Sequence, residues 1–221
     1  MKDQQYENET RILAVADIHG KAHRFTILEE AVNEYQPDVV VVAGDIISYR
    51  RTESSLQRLS KLNQPVLIVS GNSDFSKVKK RIPEFHALNY LRPSPSEAFG
   101  IPFIGLNGTI PIPFFSLVRL REKTFLESLK NEIRPESVLI THTPPRGFQD
   151  RVAKRFHAGS KGLARLIRET QPRLLVCGHI HEDDGYSHLG KTCIVNCSIG
   201  GKGKGALMKL KQSGKLDVKM L

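Results

Sequence analysis

The chain has 221 residues, of which 39% are hydrophobic and 25% are charged, and these proportions exclude a collagen-like or wholly disordered chain. Its 33 lysines and arginines outnumber 23 acidic residues, which gives a formal net charge of +10 and favours phosphate-bearing partners. The longest apolar run, Val39–Ala43, is too short to span a membrane.

The sequence predicts a single domain over residues 1–221, because it shows no internal repeat, low-complexity tract or linker. Residues 1–9 are polar and acidic and lack the apolar stretch of a signal peptide. The three cysteines, Cys177, Cys193 and Cys197, lie in apolar stretches, where we expect them to be buried and reduced. These features together indicate a cytoplasmic protein.

Short apolar runs alternate with helical patterns along the chain. Strands are predicted at Ile12–Ala16, Val39–Ala43, Val66–Val69, Phe103–Leu106, Val138–Thr141, Leu174–Cys177 and Thr192–Asn196, with a closing hairpin of Ala206–Lys211 and Leu216–Leu221. Apolar residues at helical spacing predict helices over Phe25–Tyr35, Leu56–Leu62, Phe125–Ile133 and Leu163–Ile167. The proline-rich segment between Arg92 and Phe115, which contains Gly108, is predicted as loops around one short strand. The early strand–helix–strand order is typical of parallel βαβ units, and the later strands indicate a second or mixed sheet.

Polar residues directly follow five of these strands, usually beside a glycine. They lie in Asp17-Ile18-His19-Gly20, Gly44-Asp45, Gly71-Asn72-Ser73-Asp74, Thr141-His142 and Gly178-His179-Ile180-His181. Ligands bind beyond the carboxyl ends of strands in such sheets, and oxygen and imidazole donors suit Mn, Fe, Zn, Co or Ni. Seven side chains exceed the needs of one ion and suit two ions that share a carboxylate, as in phosphoryl-transfer hydrolases. The candidate ligands are Asp17, His19, Asp45, Asn72, His142, His179 and His181.

These five segments resemble the signature blocks of the calcineurin-like metallophosphoesterases, and the resemblance extends from Ile12 to about Gly201. It implies a four-layer α/β/β/α sandwich of two mixed sheets flanked by helices. It also implies that two divalent ions, with manganese favoured, are bound. The first ion would be held by Asp17, His19 and His181, and the second by Asn72, His142 and His179, with Asp45 bridging them.

The third block departs from the family pattern at Ser73, where most members carry a histidine that assists the leaving oxygen. A serine hydroxyl does not supply a proton near neutral pH as an imidazolium does. Similar small members carry cysteine there and are regarded as phosphodiesterases, so the resemblance still implies an enzyme. Asp74 is predicted to orient a neighbouring group.

Three residues near the blocks are candidates for substrate contact. They are His23, close to His19 and able to replace the missing acid, Arg146, able to clamp a phosphate, and Ser73 itself. His157 precedes a helix N-cap signal at Gly159-Ser160 and is predicted to be structural or peripheral.

The sequence therefore predicts a dinuclear metal-dependent phosphoesterase that hydrolyses a nucleotide or another phosphodiester, with a hydroxide held between the metals as nucleophile. Asp45, Asn72, Asp74 and His142 are its predicted catalytic residues. The first alternative is a protein-binding scaffold that has lost turnover, which Ser73 favours and the full set of ligand residues disfavours. The second alternative is a nuclease attracted to nucleic acid by the positive charge, ranked lower because the chain is too short for an added DNA-binding domain.

Overall fold

The computed structural model describes residues 9–47, 52–106 and 124–221. Its principal helices are α1 (Ala22–Tyr35), α2 (Thr52–Ser60), α3 (Phe75–Arg81), α4, whose described part covers residues 124–129, and α5 (Lys161–Thr170). Its strands are β1 (Glu9–Val15), β2 (Val39–Ala43), β3 (Val66–Val69), β4 (Leu88–Tyr90), β5 (Ser96–Ala98), β6 (Ile101–Leu106), β7 (Val138–Thr141), β8 (Arg151–Val152), β9 (Phe156–His157), β10 (Leu174–Cys177), β11 (Gly185–Leu189), β12 (Thr192–Asn196), β13 (Ala206–Lys211) and β14 (Leu216–Met220).

Two six-stranded mixed sheets form the centre of the molecule. The first sheet has the order β14-β13-β1-β2-β3-β4, and the second has the order β11-β12-β10-β7-β6-β5. In the first sheet β1 to β4 are parallel, whereas β13 runs antiparallel to β1 and to β14. In the second sheet β6, β7, β10 and β12 are parallel, with antiparallel strands at both edges. The mixed sheets expected from the late strands are confirmed.

Three apolar clusters show that the layers follow the order α/β/β/α. Alternate residues of both sheets, such as Val41 and Val176, pack together between the sheets. The opposite face of the first sheet packs on α1 and α2 through residues such as Leu28 and Leu56. The opposite face of the second sheet packs on α4 and α5. This alternation follows from the two-residue period of a strand, and it confirms the predicted four-layer sandwich.

Some predicted element boundaries are wrong. Strand β1 begins at Glu9 because its first residues already pair with β13, and β14 ends at Met220. The proline-rich segment contains two strands, β5 and β6, which pair antiparallel, where one was predicted. The rest of that segment, including Gly108, lies outside the described residues.

One of the three residues predicted for the buried face of α4 is wrong. Phe125 is exposed, whereas Leu126, Leu129 and Ile133 are buried, and Ile133 lies beyond the 3₁₀ turn Lys130–Glu132. The three cysteines are buried and free, as predicted. Among the residues that the structure describes, no helix is long and apolar enough to cross a lipid bilayer.

Candidate metal centre

The loops that carry the candidate ligands meet because their strands are neighbours and point the same way. The β1 loop is joined to the β2 loop by two backbone hydrogen bonds. Asp17 N donates to Gly44 O at 3.0 Å, and His19 N donates to Asp45 O at 2.8 Å. The β7 and β10 loops are joined by Gly178 N, which donates to His142 O at 3.0 Å. The carboxyl edges of both sheets therefore face one site.

All seven predicted ligands are brought together there, each with a nitrogen or oxygen atom within 4.0 Å of another. The contacting pairs are His181 with Asp17 at 3.3 Å, His142 with Asp17 at 3.9 Å, His19 with Asp17 at 4.0 Å, His19 with Asp45 at 3.7 Å, His142 with Asp45 at 3.5 Å, His142 with Asn72 at 3.0 Å and His142 with His179 at 3.3 Å. Asp17, His19 and His181, called the first group below, converge within 4.8 Å of one another, and so do Asp17, Asp45 and His142.

His142 is held at the centre of this cluster by a backbone contact. Its Nδ1–H donates to the carbonyl oxygen of Ala43 at 2.9 Å, so Nε2 points at Asn72, Asp45 and Asp17. Such a contact fixes the ring with one nitrogen directed at a metal. Burial lowers the pKa of His142, but the Asp45 and Asp17 carboxylates outweigh it and raise the pKa to about 9.

The pKa values of four other groups in the cluster are shifted toward the forms that can bind a cation. Burial raises the pKa of Asp17, but His181 and His142 hold the pKa below its usual value. Burial likewise opposes ionisation of Asp45, yet His142 keeps the pKa of that carboxyl well below its usual range. Burial lowers the pKa of His19 and His179. These two imidazoles are therefore neutral at neutral pH, the form in which histidine binds metals.

One buried oxygen tests whether this site fits a metal. Asp17 Oδ1 is buried and accepts no hydrogen bond, although imidazole nitrogens of His181, His142 and His19 lie between 3.3 and 4.0 Å from it. A buried carboxylate oxygen without a donor is costly, and a cation among these four side chains would satisfy it. The residues therefore fit a divalent ion with oxygen and imidazole ligands.

Four of the candidate ligands have left-handed backbone conformations, which non-glycine residues rarely adopt. The φ angles are 63° at Asp17, 53° at His19, 53° at Asp45 and 71° at His179. Each costs about 1–3 kcal/mol, and such strain clusters at functional sites. The backbone N–H of His179 donates to Asp17 Oδ2 at 3.0 Å. The left-handed backbone at His179 thus directs a hydrogen bond to the carboxylate of a second candidate ligand.

Asp74 ties two ligand loops together. Its carboxylate accepts hydrogen bonds from Ile46 N at 2.8 Å, Ile47 N at 3.1 Å and Gly71 N at 2.8 Å. Burial raises the pKa of this carboxyl, and the three N–H donors oppose that shift. These contacts support the prediction that Asp74 orients its neighbours. Gly71 leaves the necessary space, because a Cβ there would overlap the Asp45 carboxylate.

The three predicted substrate contacts have different surroundings. Ser73 holds the Asp45 carboxylate, with its N–H donating to Oδ1 at 2.7 Å and its hydroxyl donating to Oδ2 at 3.0 Å. Arg146 Nη1 donates to the carbonyl oxygen of His157 at 2.7 Å. His23 is exposed in the first turn of α1. Substrate contact by these three residues stays a prediction.

The sequence analysis missed Arg24, a buried arginine directly behind the first group. Its Nη1 donates to the carbonyl oxygen of Asp17 at 2.6 Å, and its Nη2 donates to that of Gly200 at 2.5 Å. Gly200 lies against the His181 ring, where a Cβ would approach it to 2.5 Å. Arg24 therefore links the backbones beside two ligands. Its position one turn before Leu28, on the apolar face of α1, was the available sequence signal.

We expect Arg24→Lys to lower the affinity of the first group for a divalent ion by about 10- to 100-fold, the usual cost of losing a group that supports metal ligands. A lysine ammonium keeps the charge but lacks the planar fork that reaches two carbonyl groups. Calorimetric titration of the metal-free protein with Mn²⁺ measures the affinity for each ion that binds. Arg58→Lys is the matched control, because Arg58 also contacts α1, at Ala22 O and Glu29, away from the ligands. A metal affinity that is unchanged in Arg24→Lys would contradict the role of Arg24 in supporting the ligands.

We expect metal uptake to release a proton, because His142 is protonated up to about pH 9 in the metal-free protein. Rising pH removes the competing proton, so metal affinity rises between about pH 7 and pH 9 and then levels off. Calorimetry in two buffers of different ionisation enthalpy counts the protons. His188→Gln, at a histidine of β11, is the control. If the metal affinity does not change over this pH range and the measured binding enthalpy does not depend on the buffer, His142 loses no proton.

The chain is similar to known proteins in sequence and in fold. The family model described as calcineurin-like phosphoesterase matches residues 10–183. The uncharacterized protein MJ1162 of Methanocaldococcus jannaschii is 30% identical over 199 residues, which is 85% of this chain and 88% of that protein. A dimetal phosphatase from Danio rerio has the same fold, with a TM-score of 0.62 and 13% identity over 96% of this chain and 95% of that one. A novel archaeal phosphodiesterase also shares the fold, with a TM-score of 0.56 and 13% identity over 96% of this chain and all of that one.

Proposed function

Because the chain belongs to the calcineurin-like phosphoesterase family, we propose that it hydrolyses phosphodiesters with two divalent metal ions, manganese favoured, in the cytoplasm. The observation that carries this proposal is the convergence of carboxylate, amide and imidazole groups around the unsatisfied Asp17 Oδ1. In the proposed arrangement Asp17, His19 and His181 hold one ion, while Asn72, His142 and His179 hold the other, with Asp45 between them.

Bound divalent ions supply a water of lowered pKa as the nucleophile and neutralise charge on the phosphate oxygens. The chain contributes the positions of the ligands. His142 is oriented by Ala43 O, Asp45 is held by Ser73, and Asp74 fixes the loops on which Asp45 and Asn72 lie. This preorganisation supports a reaction at a phosphate group, because fixed charges need not rearrange while charge develops on the oxygens.

A diester is favoured over a monoester because similar small family members that lack the family histidine, with cysteine at the position of Ser73, are regarded as phosphodiesterases. The Ser73 hydroxyl donates to Asp45, and it is a poor proton donor at neutral pH. Substrates whose leaving group departs as a stabilised anion are therefore the best candidates. The archaeal relative that is named a phosphodiesterase is consistent with this preference.

The alternative is a protein-binding scaffold that keeps the fold without turnover. Ser73 favours it, whereas the intact ligand set and the strained backbone at Asp17, His19, Asp45 and His179 argue against it. Strain of this kind serves no purpose in a site that has lost its function.

The test is hydrolysis of bis(p-nitrophenyl) phosphate by the full chain with added Mn²⁺, with EDTA as control. We expect metal-dependent turnover that exceeds the rate on p-nitrophenyl phosphate. Equal or faster hydrolysis of the monoester would contradict the diester preference. Absence of turnover on both, with two metals bound, would favour the scaffold.

A further inference from the structure

A small hairpin, β8–β9, emerges at the same edge of the second sheet as the candidate metal centre. It lies in the connection between β7, which leads to His142, and α5, which precedes β10 and its two histidines. Strands β7 and β10 are parallel neighbours, so the loops that follow them lie side by side. Neither the family resemblance nor the proposed reaction assigns this hairpin a role.

The hairpin is fixed to the loop that directly follows His181. Arg151 N donates to Asp183 Oδ2 at 2.7 Å, and Ala153 N donates to Glu182 Oε1 at 2.6 Å. Both carboxylates are thus engaged with backbone donors of the hairpin. These contacts join the first strand and the turn of the hairpin to the metal-binding loop.

The second strand of the hairpin is fixed by a buried carboxylate. Asp150 is fully buried, with Oδ1 at 2.5 Å from His157 Nδ1 and Oδ2 accepting from Gly159 N at 2.9 Å. Arg146 Nη1 donates to the His157 carbonyl oxygen, and Arg146 N donates to Ser160 O at 2.9 Å. These contacts give His157 a structural role, one of the two alternatives that the sequence analysis left open. The hairpin is a preorganised element, attached on both sides.

This fixed element presents an aromatic ring and three cations to solvent. Phe156 is 68% exposed, the highest value among the large hydrophobic residues that the structure describes, and its cross-strand partner Val152 is 37% exposed. Arg151, Lys154 and Arg155 are exposed as well. Within the described ranges, none of the three forms a salt bridge.

We propose that the β8–β9 hairpin binds single-stranded nucleic acid, with Phe156 stacking on a base and Lys154 and Arg155 contacting phosphates. Each nucleotide of a single strand has a planar aromatic base and a negatively charged phosphate. The base can stack on the Phe156 ring while the phosphates contact Lys154 and Arg155. The inference rests on the proposed function and deepens it, because such a strand is a phosphodiester held next to the metal centre. The contact surface lies within the domain itself, so no added DNA-binding domain is required.

The test measures binding separately from hydrolysis. Fluorescence anisotropy of a labelled single-stranded oligonucleotide of about 12 nucleotides, a length within the range bound by known single-strand proteins, is followed with the full chain in EDTA. We expect Phe156→Ala to weaken binding by about 5- to 150-fold, the range of one lost base stack, and Phe156→Tyr to retain it. Phe99→Ala is the matched control, because Phe99 is 53% exposed in the turn between β5 and β6, at the amino end of β6.

The charges are tested in the same assay at several salt concentrations. Lys154→Gln with Arg155→Gln is expected to weaken binding and to reduce the slope of log affinity against log salt by about 1.4, or 0.7 for each lost phosphate contact. The control is Lys209→Gln with Lys215→Gln, since both lysines already pair with acids, Glu9 and Asp217. We expect these two substitutions to leave binding unchanged.

Three results would overturn the proposal. The first is that Phe156→Ala binds the oligonucleotide as tightly as wild type does. The second is that the Lys209 and Lys215 control weakens binding as much as substitution of Lys154 and Arg155 does. The third is that binding to phosphatidylserine vesicles requires Phe156 while binding to the oligonucleotide does not. The last result would assign the surface to a membrane. Failure to hydrolyse bis(p-nitrophenyl) phosphate with Mn²⁺ would overturn the proposed reaction alone, because Phe156-dependent binding in EDTA does not require turnover.

Discussion

Replacement of Asp45 with alanine is expected to lower diester hydrolysis by at least about a thousandfold, which corresponds to about 4 kcal/mol of lost transition-state stabilisation. Asp45 lies between the two halves of the site, at 3.7 Å from His19 and 3.5 Å from His142. Its removal deprives both proposed ions of a shared negative ligand, and it leaves His142 without its nearest carboxylate. Asp45→Asn keeps the shape but loses the charge, so we expect a similar loss of activity.

The measurement combines kinetics with elemental analysis of bound metal and far-ultraviolet circular dichroism. Asp217→Asn is the control for removing one carboxylate, because Asp217 lies on β14, away from the site, where it is exposed and pairs with Lys215. We expect this variant to keep full activity and two metals. An Asp45→Ala protein that stays active with two bound metals would show that Asp45 does not bridge them. His181→Ala should instead lower mainly the affinity for the first ion, and His142→Ala mainly the affinity for the second.

A steep dependence of rate on the leaving group is the second large effect that we expect. Aryl leaving groups depart as stable anions, whereas alkyl groups depart as basic alkoxides and need a proton in the transition state. The Ser73 hydroxyl is engaged with Asp45 Oδ2 and supplies no such proton. A positioned acid is worth about 10²–10⁴-fold, so Ser73→His should raise the rate on alkyl diesters by up to that factor and change aryl diesters much less.

A series of diesters with leaving groups of graded acidity gives the slope of log kcat/KM against leaving-group pKa. Wild type should show a steep slope, Ser73→His a shallower one, and Ser73→Ala, which adds no acid, a slope as steep as that of wild type. A shallow slope in wild type that Ser73→His leaves unchanged would mean that another residue supplies the proton. His23 is then the first residue to replace, because it is exposed near the start of α1, four residues after His19.

The positions of the candidate ligands could be predicted because each follows a strongly apolar strand. Val39–Ala43 and Leu174–Cys177 are fully buried, so their sequences show unbroken apolar runs that end where the polar residues begin. Parallel strands place such residues at one edge without further information. The four-layer fold came from the resemblance to a family, since periodicity alone indicated only a second or mixed sheet.

The remaining features depend on contacts between distant parts of the chain. The left-handed conformation of Asp17 and His179 has no local signal, because it is stabilised by a hydrogen bond between residues 162 positions apart. The β8–β9 hairpin has strands of two residues each, too short to show a period. Phe125 was assigned to the buried face of α4 because the spacing of Phe125, Leu129 and Ile133 fits a helix, although the helix ends before Ile133.

The pairing of β1 with β13 has a consequence for synthesis of the protein. Strand β1 lies inside the first sheet, between β2 and β13, and Leu13 pairs with Leu207 near the other end of the chain. While the ribosome is still translating the middle of the chain, β1 has a neighbour on one side only, with an open edge on the other. Contacts between residues so far apart in sequence form slowly and leave partly folded chains prone to aggregation. The Asp17 loop, which follows β1, therefore reaches its final geometry only after β13 has emerged.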